Sequence, residues 1–257
     1  MRILRFSVAL ALAASGIAFG FAAGDGSQAN PYQVANTNDL QEIATNNPNS
    51  GDYFVLTSSI TGVDFVIGGS FNGNFDGDGN TIDVSYQGTL TGDDALFEEI
   101  GQQGVVKNLN VNLDYDLSAY SGNWGFVAGI AGFNNGGTIE NCSAAGSIDA
   151  QDKGLAVGGI VASNAGTLQN CQSEVSIATD YGCNAGGIAG QSTGSIDECS
   201  FMGSMDVADS GFESIDDTAN PTIAGGIVGY AWDTLMTVQN IPTLQQMQKS
   251  SLMQAVW

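Results

Sequence analysis

Between residues 126 and 207 apolar side chains recur at every second position, and the whole pattern repeats three times. The first unit runs from Gly125-Phe-Val-Ala-Gly-Ile130 through Thr138-Ile-Glu-Asn-Cys142 to Ile148. The second carries Gly158-Gly-Ile160, Asn170-Cys171 and Val175-Ser-Ile177; the third carries Gly186-Gly-Ile188, Glu198-Cys199 and Met205-Asp-Val207. A period of two marks half-buried strands. In that reading Phe126, Ala128 and Ile130 point inward, as do Ala156, Gly158 and Ile160. A second alternating run starts at each of Cys142, Cys171 and Cys199, and a short strand around Ile139, Leu168 and Ile196 lies between the two. Gly and Asn at the joins supply the positive φ of tight corners.

Ile130, Ile160 and Ile188 are 30 and 28 residues apart, and the three cysteines 29 and 28 apart. Three short strands and three corners in one such unit make a coil of a parallel β-helix; a propeller blade needs about 40 residues. A fourth unit opens at Gly225-Gly-Ile-Val-Gly229 and lacks its cysteine half. Upstream, Pro31-Tyr-Gln-Val34 reads as a strand, and residues 38–45 as a short helix capped by Asn38 that covers one end of the core. Coils follow from Tyr53 through Phe71–Ile82 and Leu96–Leu113, and a closing helix is expected over 243–255, where Leu244, Met247 and Leu252 have helical spacing. The expectation is therefore an all-β, right-handed parallel β-helix of about six to seven coils with short helical caps. Its hand comes from the crossover rule. Residues 23–257 form one domain, with 126–207 the clearest repeats and 223–257 a partial repeat and cap.

Composition changes the picture at two points. Residues 1–22 combine Arg2 and Arg5 with an apolar run and small residues, the form of a secretory signal peptide. Without it, 27 acids face Lys107, Lys153 and Lys249, a formal charge of −24. Nucleic acid needs a basic footprint, so it is excluded as a partner, and insertion into a membrane after signal cleavage is not expected. The expected location is extracellular or the cell surface, and the expected partner a glycan or a surface protein of a host or neighbouring cell. The chain has no histidine, which removes Ser-His-Asp and Cys-His catalysis and every His-ligated metal site.

This order of elements resembles the bacterial GLUG-motif proteins. The residues that carry the resemblance are Gly158-Gly-Ile-Val161 with Asn170-Cys171, Gly186-Gly-Ile-Ala-Gly190 and Gly225-Gly-Ile-Val-Gly229. The lead-in Tyr53-Phe-Val-Leu56 and Phe75-Asp-Gly-Asp-Gly-Asn-Thr-Ile82, and the exit Trp232-Asp233 with Thr243-Leu-Gln-Gln-Met247, also fit. The resemblance implies a secreted or surface-displayed, adhesin-like β-helix. The motif also occurs in large immunoglobulin-A peptidases beside a separate zinc domain, whose His-Glu-x-x-His has no counterpart in a chain without histidine. The chain departs from the pattern at its end, where the fourth unit is incomplete.

No catalytic residue is assigned. The alternative function, a polysaccharide-active hydrolase or lyase on a β-helix, would need two facing carboxylates or a lysine base such as Lys107. No cofactor is expected beyond a surface calcium ion on Asp76 and Asp78, whose loop departs from the EF-hand pattern at Gln87; a glycine-rich corner explains the same residues. Cys142, Cys171 and Cys199 read as a stack of buried thiols, one per coil and near enough for one disulfide. Cys183 reads as an exposed corner residue.

The candidate ligand face comes from the connections after the second run of each unit: Asp114–Trp124, 150–154, 179–184 and 208–221. All four occupy one place in the coil, and insertions in a solenoid mark its binding face. Tyr115, Tyr120, Trp124, Tyr181 and Phe212 would lie there among carboxylates, a combination suited to sugar rings.

Overall fold

The computed structural model describes residues 20–21, 23–46, 48–87, 93–117, 125–150, 155–179, 183–207 and 223–231. Residues 1–19 and 22 of the expected leader and the expected closing helix lie outside them; Phe21 is described and packs against Tyr32 and Phe54. The described chain is an all-β solenoid whose strands pair in parallel along four sheets. In the order a turn visits them, sheet s1 holds Asp93–Asp94, Gly125–Ala128, Leu155–Gly158, Asn184–Gly186 and Ile223–Gly225. Sheet s2 holds Ile67–Phe71, Phe97–Ile100, Ala131–Asn134, Val161–Asn164, Ala189–Ser192 and Val228–Ala231. Sheet s3 holds Tyr32–Val34, Tyr53–Leu56, Asn74–Asp76, Val105–Lys107, Thr138–Glu140, Thr167–Gln169 and Ser195–Asp197. Sheet s4 holds Ile60–Val63, Thr81–Gln87, Asn110–Asp116, Ser143–Ala150, Gln172–Thr179, Ser200–Phe201 and Ser204–Val207. About four turns, from Asp93 to Val207, pass through all four sheets; the strands before and after them belong to partial turns.

In-register pairing stacks like positions into interior columns. One runs Phe54, Phe75, Val106, Ile139, Leu168, Ile196. The corner from s3 to s4 is made by one left-handed residue per turn: Asn108, Asn141, Asn170 and Glu198 all have φ of 51–52°. Asparagine tolerates this region because its short amide bonds locally. Here the amides also bond along the stack: Asn170 Nδ2 donates to Asn141 Oδ1 at 2.7 Å, and Asn141 to Asn108 at 3.3 Å.

The glycine pairs of the motif sit at the s1–s2 bend. A Cβ on Gly159 would lie 2.1 Å from Ser173 Oγ across the core and 2.3 Å from the Gly187 carbonyl of the next turn. On Gly187 it would meet Phe201 and the Gly226 carbonyl at 2.2 Å. The bend is thus pressed against s4, and only glycine fits. It also shifts the alternation by one. Val127 and Val157 face the main core, whereas Phe126, Ala128 and Ala156 face away from it into a separate small buried cluster with Ala95 and Ala162. The inward reading of Phe126, Ala128 and Ala156 is corrected accordingly; Ile130 and Ile160 are inside.

The N-terminal helix spans Thr37–Asn46 and buries Leu40 and Ile43 beside the first strands of s2 and s4. Its cap is Asn36, not Asn38. Asn36 Oδ1 accepts from the N–H groups of Asn38 and Asp39, and Asp39 Oδ2 accepts from the N–H of Ala35, the residue before the cap, at 2.8 Å, a variant of the capping box.

Candidate ligand surface

Each turn offers outward positions to ligands. On s2 the register places Glu99, Phe133, Ser163, Gln191 and Tyr230 in one outward column. On s1 a parallel column runs Phe126, Ala156, Asn184. Where the two sheets meet, Ala95, Ala128, Ala156 and Ala162 form a small buried cluster, and Phe126 and Phe133 stack beside it with ring centroids 4.1 Å apart. Gln191 Nε2 donates to Ser163 Oγ at 3.1 Å. From Gly125 onward, the segments 125–134, 155–164, 184–193 and 223–231 hold no Asp, Glu or Lys, although the chain has 27 acids. The acids stand elsewhere: Asp76, Glu140 and Asp197 on s3, Asp83, Asp114, Asp149, Glu174 and Asp206 on s4.

Two clefts open along the s2–s3 edge. One, of about 470 Å³, is lined by amides and hydroxyls of Ser70, Asn72, Gln102, Gln103 and Asn135, with Glu99 the one carboxylate among its lining residues. The other, of about 340 Å³, lies among Ser163, Asn164, Gln191, Ser192 and Thr193. Beneath them runs a buried amide ladder: Asn134 Nδ2 donates to Asn164 Oδ1 at 2.9 Å, and Asn164 Nδ2 to Ser192 Oγ at 3.1 Å.

The loop face anticipated from sequence is only partly within the described residues. The strands flanking all four connections leave s4 and enter s1, so their anchors share one corner. Tyr120, Trp124, Tyr181 and Phe212 lie outside the described residues. Tyr115 does not belong to the face. It is 1% exposed, in the interior column Tyr86–Tyr115–Ile148–Ile177, and its ring packs on Tyr86 at 4.7 Å. The alternation Val111, Leu113, Tyr115 simply continues to Asp116, beyond the expected start of the loop. Burial pushes its phenol well above the ordinary range.

The remaining candidates are placed as follows. Asp76 is engaged within the protein: Oδ1 accepts from the Asp78 N–H at 3.0 Å and Asn108 Nδ2 at 2.9 Å, and Oδ2 lies 3.4 Å from Lys107 Nζ. Lys107 is thus an ion-pair partner on s3. Cys142, Cys171 and Cys199 are free and buried, and the Cys171 N–H donates to Cys199 Sγ at 3.4 Å. The next thiol of the stack raises the pKa values of Cys171 and Cys199, and burial adds to it. Cys183 is fully buried, not exposed, because it stands one residue before the s1 strand, in line with buried Leu155.

The outward column on s2 was missed from sequence. A signal for it existed. Phe133, Ser163, Gln191 and Tyr230 each stand three residues after the isoleucine of the glycine motif, where residue type varies while its neighbours repeat.

No family model and no curated protein matches this chain. Among solved structures, a proposed immunoglobulin A1 protease from Bacteroides ovatus, determined at 1.30 Å, is similar with a TM-score of 0.58 and 20% identity. The match covers 85% of this chain and 66% of that protein. The likeness is one of fold.

Proposed function

We propose that this chain is a non-enzymatic extracellular binding module, of the adhesin-like GLUG type, that takes uncharged glycan on the s1–s2 face. The observation that carries the reading is the absence of any charged residue from the s1 and s2 segments after Gly125, in a chain with 27 acids. Aromatic faces such as Phe133 and Tyr230 suit the apolar side of a sugar ring, and Ser163, Asn184 and Gln191 offer the donors and acceptors its hydroxyls need. The acids on s3 and s4 favour solubility and repel anionic polymers. Residues 1–22 fit this reading as a secretion signal, and we take the coil as right-handed, with six to seven coils when partial turns are included. The hydrolase alternative would need a second carboxylate facing Glu99 across the larger cleft. The name of the structural neighbour suggests proteolysis, but a chain without histidine lacks the His-Glu-x-x-His zinc site.

A glycan array with the purified protein tests the reading. Neutral glycans should be retained, and Phe133→Ala or Gln191→Ala should weaken binding about tenfold, near 1.4 kcal/mol, at an unchanged melting temperature. Preference for acidic glycans, or full binding by both variants, would overturn it.

A further inference from the structure

We infer that the ligand is a linear, unbranched neutral polysaccharide lying parallel to the solenoid axis, one sugar per turn. This rests on the glycan reading above and adds its direction, shape and length. The uncharged surface is long in one direction only. Along the axis, the column from Phe133 to Tyr230 advances one strand spacing per turn, about 4.8 Å, close to the advance of one pyranose in an extended β-linked chain. Across the axis, the face ends at the acids and Lys107 of s3 on one side and at the s4–s1 corner on the other. Where s1 and s2 meet, Ala128, Ala156, Ala162, Gly132 and Gly190 are buried, so the junction opens no socket for a branch. A Cβ on Gly190 would lie 2.8 Å from both the Ala162 carbonyl and the Val157 nitrogen, so the two sheets close on each other there. The outward positions repeat once per turn, as Phe133, Ser163, Gln191 and Tyr230 on s2. A repeating surface at sugar spacing recognises a repeating ligand, and each added ring gains one more set of contacts.

The experiment is a calorimetric titration of the full protein with β-linked gluco-oligosaccharides from disaccharide to hexasaccharide, and with a branched pentasaccharide. Affinity should rise about fivefold per added ring up to the tetrasaccharide, one ring for each of Phe133, Ser163, Gln191 and Tyr230, and then level off; the branched ligand should bind at least about tenfold more weakly. Ser163→Trp, an outward substitution in mid-track, should bring the pentasaccharide down to disaccharide affinity at an unchanged melting temperature. Equal affinity for disaccharide and pentasaccharide, or for linear and branched ligands, would overturn the axial track while leaving glycan binding intact. Absence of binding at every length would overturn both.

Discussion

Phe97 and Ala131 are register partners in adjacent turns of s2, and they mark a change in how the solenoid fills its interior. Up to Phe97 the core is aromatic: Phe54, Phe71 and Phe97 follow one another with centroids 6.1 and 5.0 Å apart, and Phe75 packs edge-on against Phe97. Beyond it, the same columns hold Ala131, Val161 and Ala189, or the amide ladder Asn134, Asn164, Ser192. The difference is one residue at the bend. The earlier turn reads Ala95-Leu-Phe97 where the repeats read Ala128-Gly-Ile-Ala131, with Asp94 opposite Val127 and Phe97 opposite Ala131. The added glycine lets the bend move in against s4, and s2 no longer sends rings into the core. A solenoid can therefore keep its strand register while changing the cross-section of its core.

The largest expected effect tests the aromatic half. Phe97→Ala removes a fully buried ring contacting two others and should cost about 4 kcal/mol, measured by urea unfolding. A loss below about 1 kcal/mol would mean that these rings are loosely packed and the two halves are not different in kind. Next comes the glycine bend. Gly159→Ala introduces a methyl that must displace the Gly187 backbone and should cost about 3 kcal/mol. An equally stable variant would show that the bend is not pressed against s4. The amide ladder should be worth less. Asn164→Ala removes the 2.9 Å acceptor of the Asn134 amide, leaving it only the longer bond to the Thr167 carbonyl at 3.4 Å, and should cost about 2 kcal/mol.

Much of the architecture was legible in the sequence, because a parallel solenoid writes its period directly into the chain. The 28–30 residue spacing, the stacked cysteines and the left-handed asparagines all follow from one turn resting on the next. What failed was phase. Alternation is a local signal, and two glycines in a bend reset it without leaving a trace in hydropathy; Phe126 was read as core for that reason. Tyr115 and Cys183 failed at strand ends, where an aromatic or a cysteine beside Asp and Gly looks like a loop yet continues an interior column. The ligand surface was the least legible part. An uncharged face exists only once the register has lined up segments some 30 residues apart, and the absence of a residue type draws no attention in a linear reading.

The thiol stack gives a smaller effect. Cys171→Ala deletes one buried sulfur and should cost about 1 kcal/mol. Since all four cysteines are buried, none should react with an aromatic disulfide reagent until the protein unfolds. Rapid native labelling of Cys183 would return it to the surface and restore the expectation from sequence.

The smallest effect lies where the two regions join. The corner ladder is neutral through the repeats, Asn170 to Asn141 to Asn108, and ends on the carboxylate of Asp76. Burial alone would raise the Asp76 pKa, but hydrogen bonds from Asn108 and the Asp78 N–H, together with the Lys107 charge, outweigh it and hold it below the ordinary value. A carboxyl depressed on folding contributes stability that is present above its unfolded pKa, about 3.9, and is lost as pH falls through the lower folded value. Both partners of the ion pair are about a third exposed, at 32% and 38%, so screening keeps the contribution below about 1 kcal/mol. Asp76→Asn should therefore lower the melting temperature slightly at neutral pH, and the gap to the parent should close as the pH drops below about 4. Asn141→Ala, in the neutral stretch of the same ladder, should cost a similar amount at every pH. If the Asp76 gap stays constant in acid, its carboxylate is not what ties the aromatic turns to the repeats; if the Asn141 gap also closes, the pH dependence belongs to the acidic surface as a whole rather than to this junction.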